Sequence, residues 1–423
     1  MRKAAVLLLS GLAGCAPATQ APADAPASVR LGIAGSLNRM PSLASDGNRI
    51  FAVWTSSQND VMDVYAAVSE DAGASFSGPR RVNDRPGDAS ANAEQPPRAV
   101  LTGSSLTVIW PSRLDGASAI RLSRSTDGAR TFSPAITLHN SSLKGARGWQ
   151  SIAKGSGDHV YAVWLDGRDA DPSAVHQRHG AGKHTGARPS HAGDPRQDVY
   201  MAVVGSDGTA VESHIARDVC YCCKTAVGIG PSGRVNVAWR HIFPGSLRDI
   251  AMATSTDGGR TFGPPARISE DNWQLSGCPD DGPAMAVDAR DTAHLVWPTL
   301  VNQTTPQKAI FYTSTADGRA FAPRIRLSGD DREDAAHPQI AADNAGAVAA
   351  VWDEQHGDAR RIVARVAEAG SGRFGPPITL NEDTTAFHPH IVAVPDGFLV
   401  AWAVRAGDRS DIVVRRVQPR RLR

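Results

Sequence analysis

The sequence predicts an all-β protein, a seven-bladed β-propeller. Two observations carry this: a phrase that recurs seven times, and the near-regular spacing of the residue that closes it. Seven of the nine tryptophans in this 423-residue chain end a similar phrase, among them "RMPSLASDGNRIFAVW" to Trp54 and "HPQIAADNAGAVAAVW" to Trp352. Each phrase is an apolar run, a Gly/Asp/Asn turn and a second apolar run, the pattern of a β-hairpin. Trp54, Trp110, Trp164, Trp239, Trp297, Trp352 and Trp402 stand 56, 54, 75, 58, 55 and 50 residues apart. A period near fifty with four short strands per unit is the mark of a propeller.

The second half of the repeat starts after the tryptophan, with a third strand and then a tight turn. Four turns read "SEDAGASF" (69–76), "STDGARTF" (125–132), "STDGGRTF" (255–262) and "STADGRAF" (314–321), with weaker copies at 205–211 and 368–374. In such a turn Asp127 or Asp257 can accept backbone N–H bonds, and the glycines supply positive φ. The turns resemble the Asp-box of sialidases and other BNR-repeat propellers. The resemblance covers nearly the whole mature chain and implies a structural box on the face away from the active site. It also implies an alternative of six blades, the number in sialidase catalytic domains. The repeat count itself gives seven hairpins and seven third strands, the last at 411–417, but only six fourth strands after a box position. The missing fourth strand is expected at 28–35, "SVRLGIAG", completing the last blade and closing the ring.

The N-terminus gives a location. Arg2 and Lys3 precede an apolar run from Ala4 to Leu12, too short to span a bilayer and shaped like a secretory signal. The run ends in Leu12-Ala13-Gly14-Cys15, which resembles the lipobox of bacterial lipoproteins. That resemblance implies cleavage before Cys15 and lipidation of it. Ala16, in place of Asp, implies sorting to the outer membrane, with the protein facing the periplasm. The chain therefore divides into a signal at 1–14, a lipidated Cys and Ala/Pro-rich tether at 15–28, the propeller at 29–418 and a basic tail at 419–423. The formal net charge of +2 gives no footprint for nucleic acid, so the membrane is expected as a partner only through the lipid.

Cys220, Cys222, Cys223 and Cys278 then remain, an even number in an oxidising compartment. The first three sit where blade three hands over to blade four, and Cys278 sits at the next handover. The handovers into blades six and seven, "DAAHPQI" and "TAFHPHI", supply His337, His388 and His390. A long loop in blade three adds His176, His179, His184 and His191. These segments share one face. Disulfides are one reading, although bonds within Cys-x-Cys-Cys are awkward. A soft-metal site is the second, with copper or zinc held by Cys220, Cys222, Cys223 and Cys278 together with His337 and His388. Thiol exchange is the third.

A glycoside hydrolase is the rival class. "NRMPSL" (38–43) resembles the [FY]-R-I-P motif of sialidases, which implies that Arg39 binds a substrate carboxylate. Asp63, with Asp60 beside it, lies where that family keeps its acid/base carboxylate, and Arg168 with Arg240 or Arg248 would complete its arginines. The family's nucleophilic Tyr has one counterpart on this face, Tyr221, and His337 and His388 stand where the late-blade Tyr is expected. A platform for glycan or a periplasmic protein is a further alternative. Calcium could be held by Asp166, Asp169, Asp353 and Glu354.

Overall fold

The computed structural model describes residues 28–113, 116, 118–140, 142, 145–169, 196–274, 281–302, 307–329, 334–381 and 385–418. Cys15, Cys278, the four histidines of the blade-three loop and the basic tail lie outside the described residues.

Every element among the described residues is a strand. After β1 (Val29–Leu31), β2 (Leu37–Asp46), β3 (Arg49–Gln58), β4 (Val61–Ser69) and β5 (Arg80–Arg81) follow in order. Then come β6 (Arg98–Thr102), β7 (Ser105–Ser112), β8 (Ala119–Ser125) and β9 (Ile136–Thr137). β10 (Arg147–Lys154), β11 (Val160–Asp166), β12 (Arg196–Val204) and β13 (Ala210–Cys220) repeat the unit, as do β14 (Ala226–Ile229), β15 (Val235–Arg240), β16 (Ile250–Ser255) and β17 (Ala266–Arg267). β18 (Ala284–Val287), β19 (Ala293–Asn302), β20 (Gln307–Thr315) and β21 (Ile325–Arg326) precede β22 (Ala335–Ala342), β23 (Val348–His356), β24 (Ala359–Ala367) and β25 (Ile378–Thr379). β26 (Ala386–Val394), β27 (Gly397–Ala406) and β28 (Arg409–Val417) end the chain.

The strands form a β-propeller arrangement with five separate four-stranded blades and one eight-stranded sheet. The described sheets therefore do not divide into seven or six equal blades. The reason is local: β2 meets β28 in parallel at one residue pair, Leu37 with Ser410, which joins β26–β28 to β2–β5. The N-terminal strand pairs where the repeat required it, with Val29, Arg30 and Leu31 antiparallel to Val414, Val413 and Ile412. Around the axis, β2 lies beside β6, then β6 beside β10, β10 beside β14, β14 beside β18, β18 beside β22, β22 beside β26 and β26 beside β2.

The core sits between sheets, because each sheet buries both faces against its neighbours. Leu43, Ile50 and Trp54 pack against Leu399, Ala401 and Ile412, so even the two halves of the eight-stranded sheet bury apolar surface between them. All seven repeat tryptophans are buried. Four of their indole N–H groups donate to side-chain oxygens, as from Trp164 to Asp166 Oδ2 at 3.0 Å and Trp352 to Glu354 Oε2 at 2.7 Å, whereas those of Trp110 and Trp402 have no partner among the described residues. The Asp-box turns close as their composition demands. Asp127 Oδ1 accepts from Arg130 N and Thr131 N, both at 3.0 Å, and Asp257 repeats the pattern on Arg260 and Thr261.

The innermost strands carry the feature that builds the site. Met40, Trp149, His337 and His388 all take left-handed backbone, with φ of 57°, 56°, 53° and 54°. Each falls where the pairing of its strand with the next slips register. Left-handed backbone is unfavourable for residues with a Cβ, so four matching cases mark a designed bulge. Pro41, Pro338 and Pro389 follow three of the four. Proline is tolerated there because these strands are edges toward the axis, with no further strand to receive the missing N–H.

Candidate functional site: a sulfur cluster beside an axial charge network

Cys220 ends β13, and Cys222 and Cys223 occupy the turn that leads to β14. All three are buried, packed with Trp149, Tyr221 and Ile242. The Cys220 sulfur lies 3.8 Å from that of Cys222 and 3.9 Å from that of Cys223. Cys220 and Cys223 are free thiols, whereas Cys222 is disulfide-bonded, so its partner lies outside the described residues. In this state the three sulfurs are two thiols and one disulfide sulfur, and a disulfide sulfur is not a thiolate ligand.

Two buried arginines surround the thiols. The Arg240 guanidinium donates to the carbonyl oxygens of Arg248 at 2.7 Å, Pro298 at 2.8 Å and Asp281 at 3.2 Å, and lies over the Trp273 ring. The Cys223 thiol, donating to Cys220, pulls the Cys220 pKa down to about 7 against the opposing effect of burial, with Arg248 and Arg240 adding to the shift. Burial and the neighbouring Cys220 push Cys223 up.

The second cluster lies at the axial mouth. Met40, Glu94, Arg98, Lys224, His337 and His388 line one cavity there. Asp353 organises it: its Oδ2 accepts from the His388 backbone N–H at 2.9 Å and stands 2.7 Å from His337 Nδ1, while Oδ1 takes Arg360 Nε at 2.8 Å. Asp281 does the same one blade earlier, accepting from the His337 backbone N–H at 2.7 Å and from Lys224 Nζ at 2.8 Å. Glu94 stands 3.4 Å from His337 Nε2 and 3.7 Å from Lys224 Nζ, yet neither of its oxygens accepts a hydrogen bond. His388 Nδ1 also has no partner. The two imidazole rings meet edge to face with centroids 4.5 Å apart.

This geometry drives the rings apart electrically. Burial opposes charge on His337, but Asp353, Glu94 and Asp281 outweigh it and raise its pKa. Burial, aided by the adjacent His337, lowers His388 to about 3. Burial raises Glu94 despite Lys224, and lowers Arg98 to about 10. Neighbouring groups with opposed shifts are the material of acid–base chemistry. His390 has another job: its Nδ1 accepts from Leu43 N at 3.1 Å and ties two inner strands together.

The structure separates residues that the sequence grouped. Among the described residues, Cys220, Cys222 and Cys223 are the one set of three or more His, Cys, Asp or Glu whose ligand atoms converge within 4.8 Å. His337 and His388 do not join them, because Asp353 and Asp281 hold both histidines in the axial network. Cys278 lies outside the described residues.

The residues of the hydrolase reading are engaged elsewhere. Asp63 is buried and accepts from Asn83 Nδ2 and Gly87 N, both at 2.7 Å, so it anchors a loop. Arg168 is clamped by Asp166 and Glu212, each at 2.6 Å, and covers the Tyr200 ring. Arg240 is fixed to backbone carbonyls beside the sulfurs. Arg39 Nη2 reaches Ser57 Oγ at 3.4 Å. Nor do the calcium candidates converge. Asp166 takes Arg147 at 3.0 Å, Glu354 takes Arg361 Nε at 2.9 Å, and Asp169 accepts from the Tyr200 hydroxyl at 2.9 Å. Asp166, Asp353 and Glu354 are buried ion-pair partners on β11 and β23.

Glu94, Arg98, Lys224, Asp281 and Asp353 are the axial residues that pattern reading did not single out as one group. A faint signal existed. "EQPPRAV", "CKTAV" and "DDGPAM" place a charge at the start of inner strands that otherwise read as apolar.

Solved structures with this architecture include an ulvan lyase, a polysaccharide lyase, at TM-score 0.57 and 11% identity over 93% of this chain and 94% of that one. A protein of unknown function from Dyadobacter fermentans aligns at 0.50 and 13% over 93% and 98%. A sialidase of Streptococcus pneumoniae aligns at 0.48 and 10% over 88% and 85%. At these identities the likeness to the ulvan lyase speaks for the fold alone. No protein-family model matches the chain, and no curated protein matches it.

Proposed function

We propose that this chain is a lipid-anchored, periplasm-facing propeller of the outer membrane whose sulfur cluster binds a soft metal ion, copper(I) first and zinc second, without hydrolytic chemistry. One observation carries the reading: three buried sulfurs 3.8 and 3.9 Å apart beside two buried arginines. A tetrahedral zinc–thiolate bond of about 2.3 Å separates its sulfurs by about 3.8 Å, so the spacing suits metal–thiolate ligation. A monovalent ion held by two or three thiolates leaves an anionic complex, and Arg240 and Arg248 would balance that charge. This favours copper(I) over a divalent ion. Imidazole takes no part, since His337 and His388 belong to the axial network.

Cys222 must be reduced before it can ligate. Metal loading then responds to the redox state of the periplasm. We also count seven blades, taking the eight-stranded sheet as two. The single Leu37–Ser410 pair and the apolar layer between its halves support that count.

The test is anaerobic reconstitution of reduced protein with copper(I) under a competing chelator, followed by elemental analysis. About one ion per chain is expected, lost in Cys220→Ser and Cys223→Ser and retained in His337→Asn. Reduced wild-type protein that holds no stoichiometric metal would overturn the proposal.

A further inference from the structure

Arg98 opens β6, the innermost strand of its blade, and is 8% exposed. Its guanidinium donates no hydrogen bond to any described residue, and its Nε is withdrawn from solvent without a partner. Two other buried arginines, Arg147 and Arg240, behave differently. Arg147 donates to Asp166 Oδ2 at 3.0 Å and Arg240 to three carbonyl oxygens. A buried guanidinium has five N–H groups to satisfy, and leaving them idle is costly. Stability alone would favour an apolar residue on an inner strand.

The cavity that Arg98 lines offers more unused groups. Glu94 and His388 also present atoms that make no hydrogen bond. Lys224 and His337, by contrast, are committed to Asp281 and Asp353. Of the charged groups there, Glu94 acts on the Arg98 guanidinium from close by but makes no hydrogen bond with it. The guanidinium fork matches a planar or tetrahedral oxyanion. The bare Nδ1 of a neutral His388 and the Glu94 carboxylate accept from a hydroxyl. Met40, Pro41, Pro96 and Pro389 complete the wall with apolar surface.

We propose that this axial cavity is a second ligand site, distinct from the sulfur cluster, in which Arg98 binds the oxyanion of a small compound while His388 and Glu94 receive a hydroxyl next to that anion. A hydroxy-carboxylate has this chemistry, and so does a hydroxylated sulfate or phosphate ester. The sulfur cluster is not needed for binding.

Calorimetric titration and thermal unfolding, at ionic strength fixed with sodium chloride, read the site with four probes: glycolate, acetate, inorganic sulfate and inorganic phosphate. Wild-type protein should give a saturable rise in Tm and measurable heat with glycolate, and weaker binding of acetate, which lacks the hydroxyl. Stronger binding of sulfate or phosphate would equally support the site and would name a tetrahedral anion as its ligand. Arg98→Lys keeps the charge but loses the fork, and should weaken binding at least tenfold. Arg98→Gln should abolish binding and raise the Tm of the ligand-free protein, because it removes a buried guanidinium that makes no hydrogen bond. A residue with a merely structural role would shift Tm the other way. Two results would overturn the proposal: no saturable response to any of the four anions, or an unchanged response in both Arg98 variants.

Discussion

Lys224 Nζ stands 2.8 Å from Asp281 Oδ1, with both side chains almost wholly withdrawn from solvent. This ion pair joins the two clusters. Lys224 directly follows Cys223, and the Asp281 carbonyl accepts from Arg240 while its carboxylate also holds the His337 backbone N–H. Burial opposes charge on Lys224, yet Asp281 and Glu94 raise its pKa, so the lysine stays protonated.

Breaking this pair should be expensive. Asp281→Ala leaves Lys224 buried with Glu94 as its remaining counter-charge, 3.7 Å away. A loss of about 3–5 kcal/mol is expected in urea unfolding. Removing both charges with Lys224→Met and Asp281→Leu should recover much of it, because an apolar pair of similar volume carries no desolvation cost. A single-variant loss below about 1 kcal/mol would show that water reaches the pair.

Stability should fall early in acid. His388 protonates near its ordinary value of 6.5 in the unfolded chain, but in the fold only near about 3. The unfolded state takes the proton first, so stability present above pH 6.5 is lost as pH falls toward about 3. Asp281 is lowered from 3.8 to about 2, burial opposing the shift and Lys224 and His337 driving it, so its contribution disappears over that lower window. His337 has the opposite sign. Its raised pKa gives stability that is full below 6.5 and lost as pH rises through the folded value. The charged groups facing the two rings are Asp353, Arg360, Lys224, Glu94 and Asp281. His388→Asn should flatten the acid limb of a pH series of unfolding curves, and His337→Asn the alkaline limb. An unchanged acid slope in His388→Asn would contradict the assignment.

Deleting residues 28–35 removes β1 and bares the edge of β28, which Val29–Leu31 now cover. An uncovered edge in an apolar strand invites aggregation. The truncated protein should melt at lower temperature and associate on light scattering. Unchanged Tm and monodispersity would mean that the N-terminal strand adds nothing to closure.

The lipid assignment is tested by Cys15→Ala. This variant should lack the mass of a lipidated N-terminus and leave the membrane fraction as unprocessed or mislocalised precursor. Mature protein that still partitions with membranes would exclude Cys15 as the anchor.

The architecture was legible because its signals are local. A hairpin needs two apolar runs and a turn within sixteen or so residues, and an Asp-box closes on itself, as the bonds of Asp127 to residues three and four positions on demonstrate. Trp352 marks its blade in the sequence for the same reason that it is buried in the fold, as a central residue of β23, a strand packed on both faces. Even the pairing of residues near 29 with those near 413 could be inferred, since one blade was short of a strand.

The candidate site resisted such reading because it is assembled across blades. Cys220, Cys222 and Cys223 are neighbours in the chain and were visible together, but the oxidation of Cys222 and the approach of Arg240 and Arg248 depend on contacts outside the segment. His337 and His388 were expected to serve the sulfurs. Tertiary structure instead gives them to Asp353, which lies sixteen residues beyond His337 and accepts from His388 across a sheet boundary. Arg98 is the extreme case. Nothing in "PPRAVL" separates an arginine that ends in solvent from one that ends buried without a partner. The difference is set by which strands stand around the axis and how few oxygens they bring to it. The sequence alone thus determined the repeating sheets, the Asp-box turns and the N-terminal strand that pairs with the last one. Only the packed ring decided which charges meet there, because burial and pairing are properties of neighbours that lie tens to hundreds of residues apart.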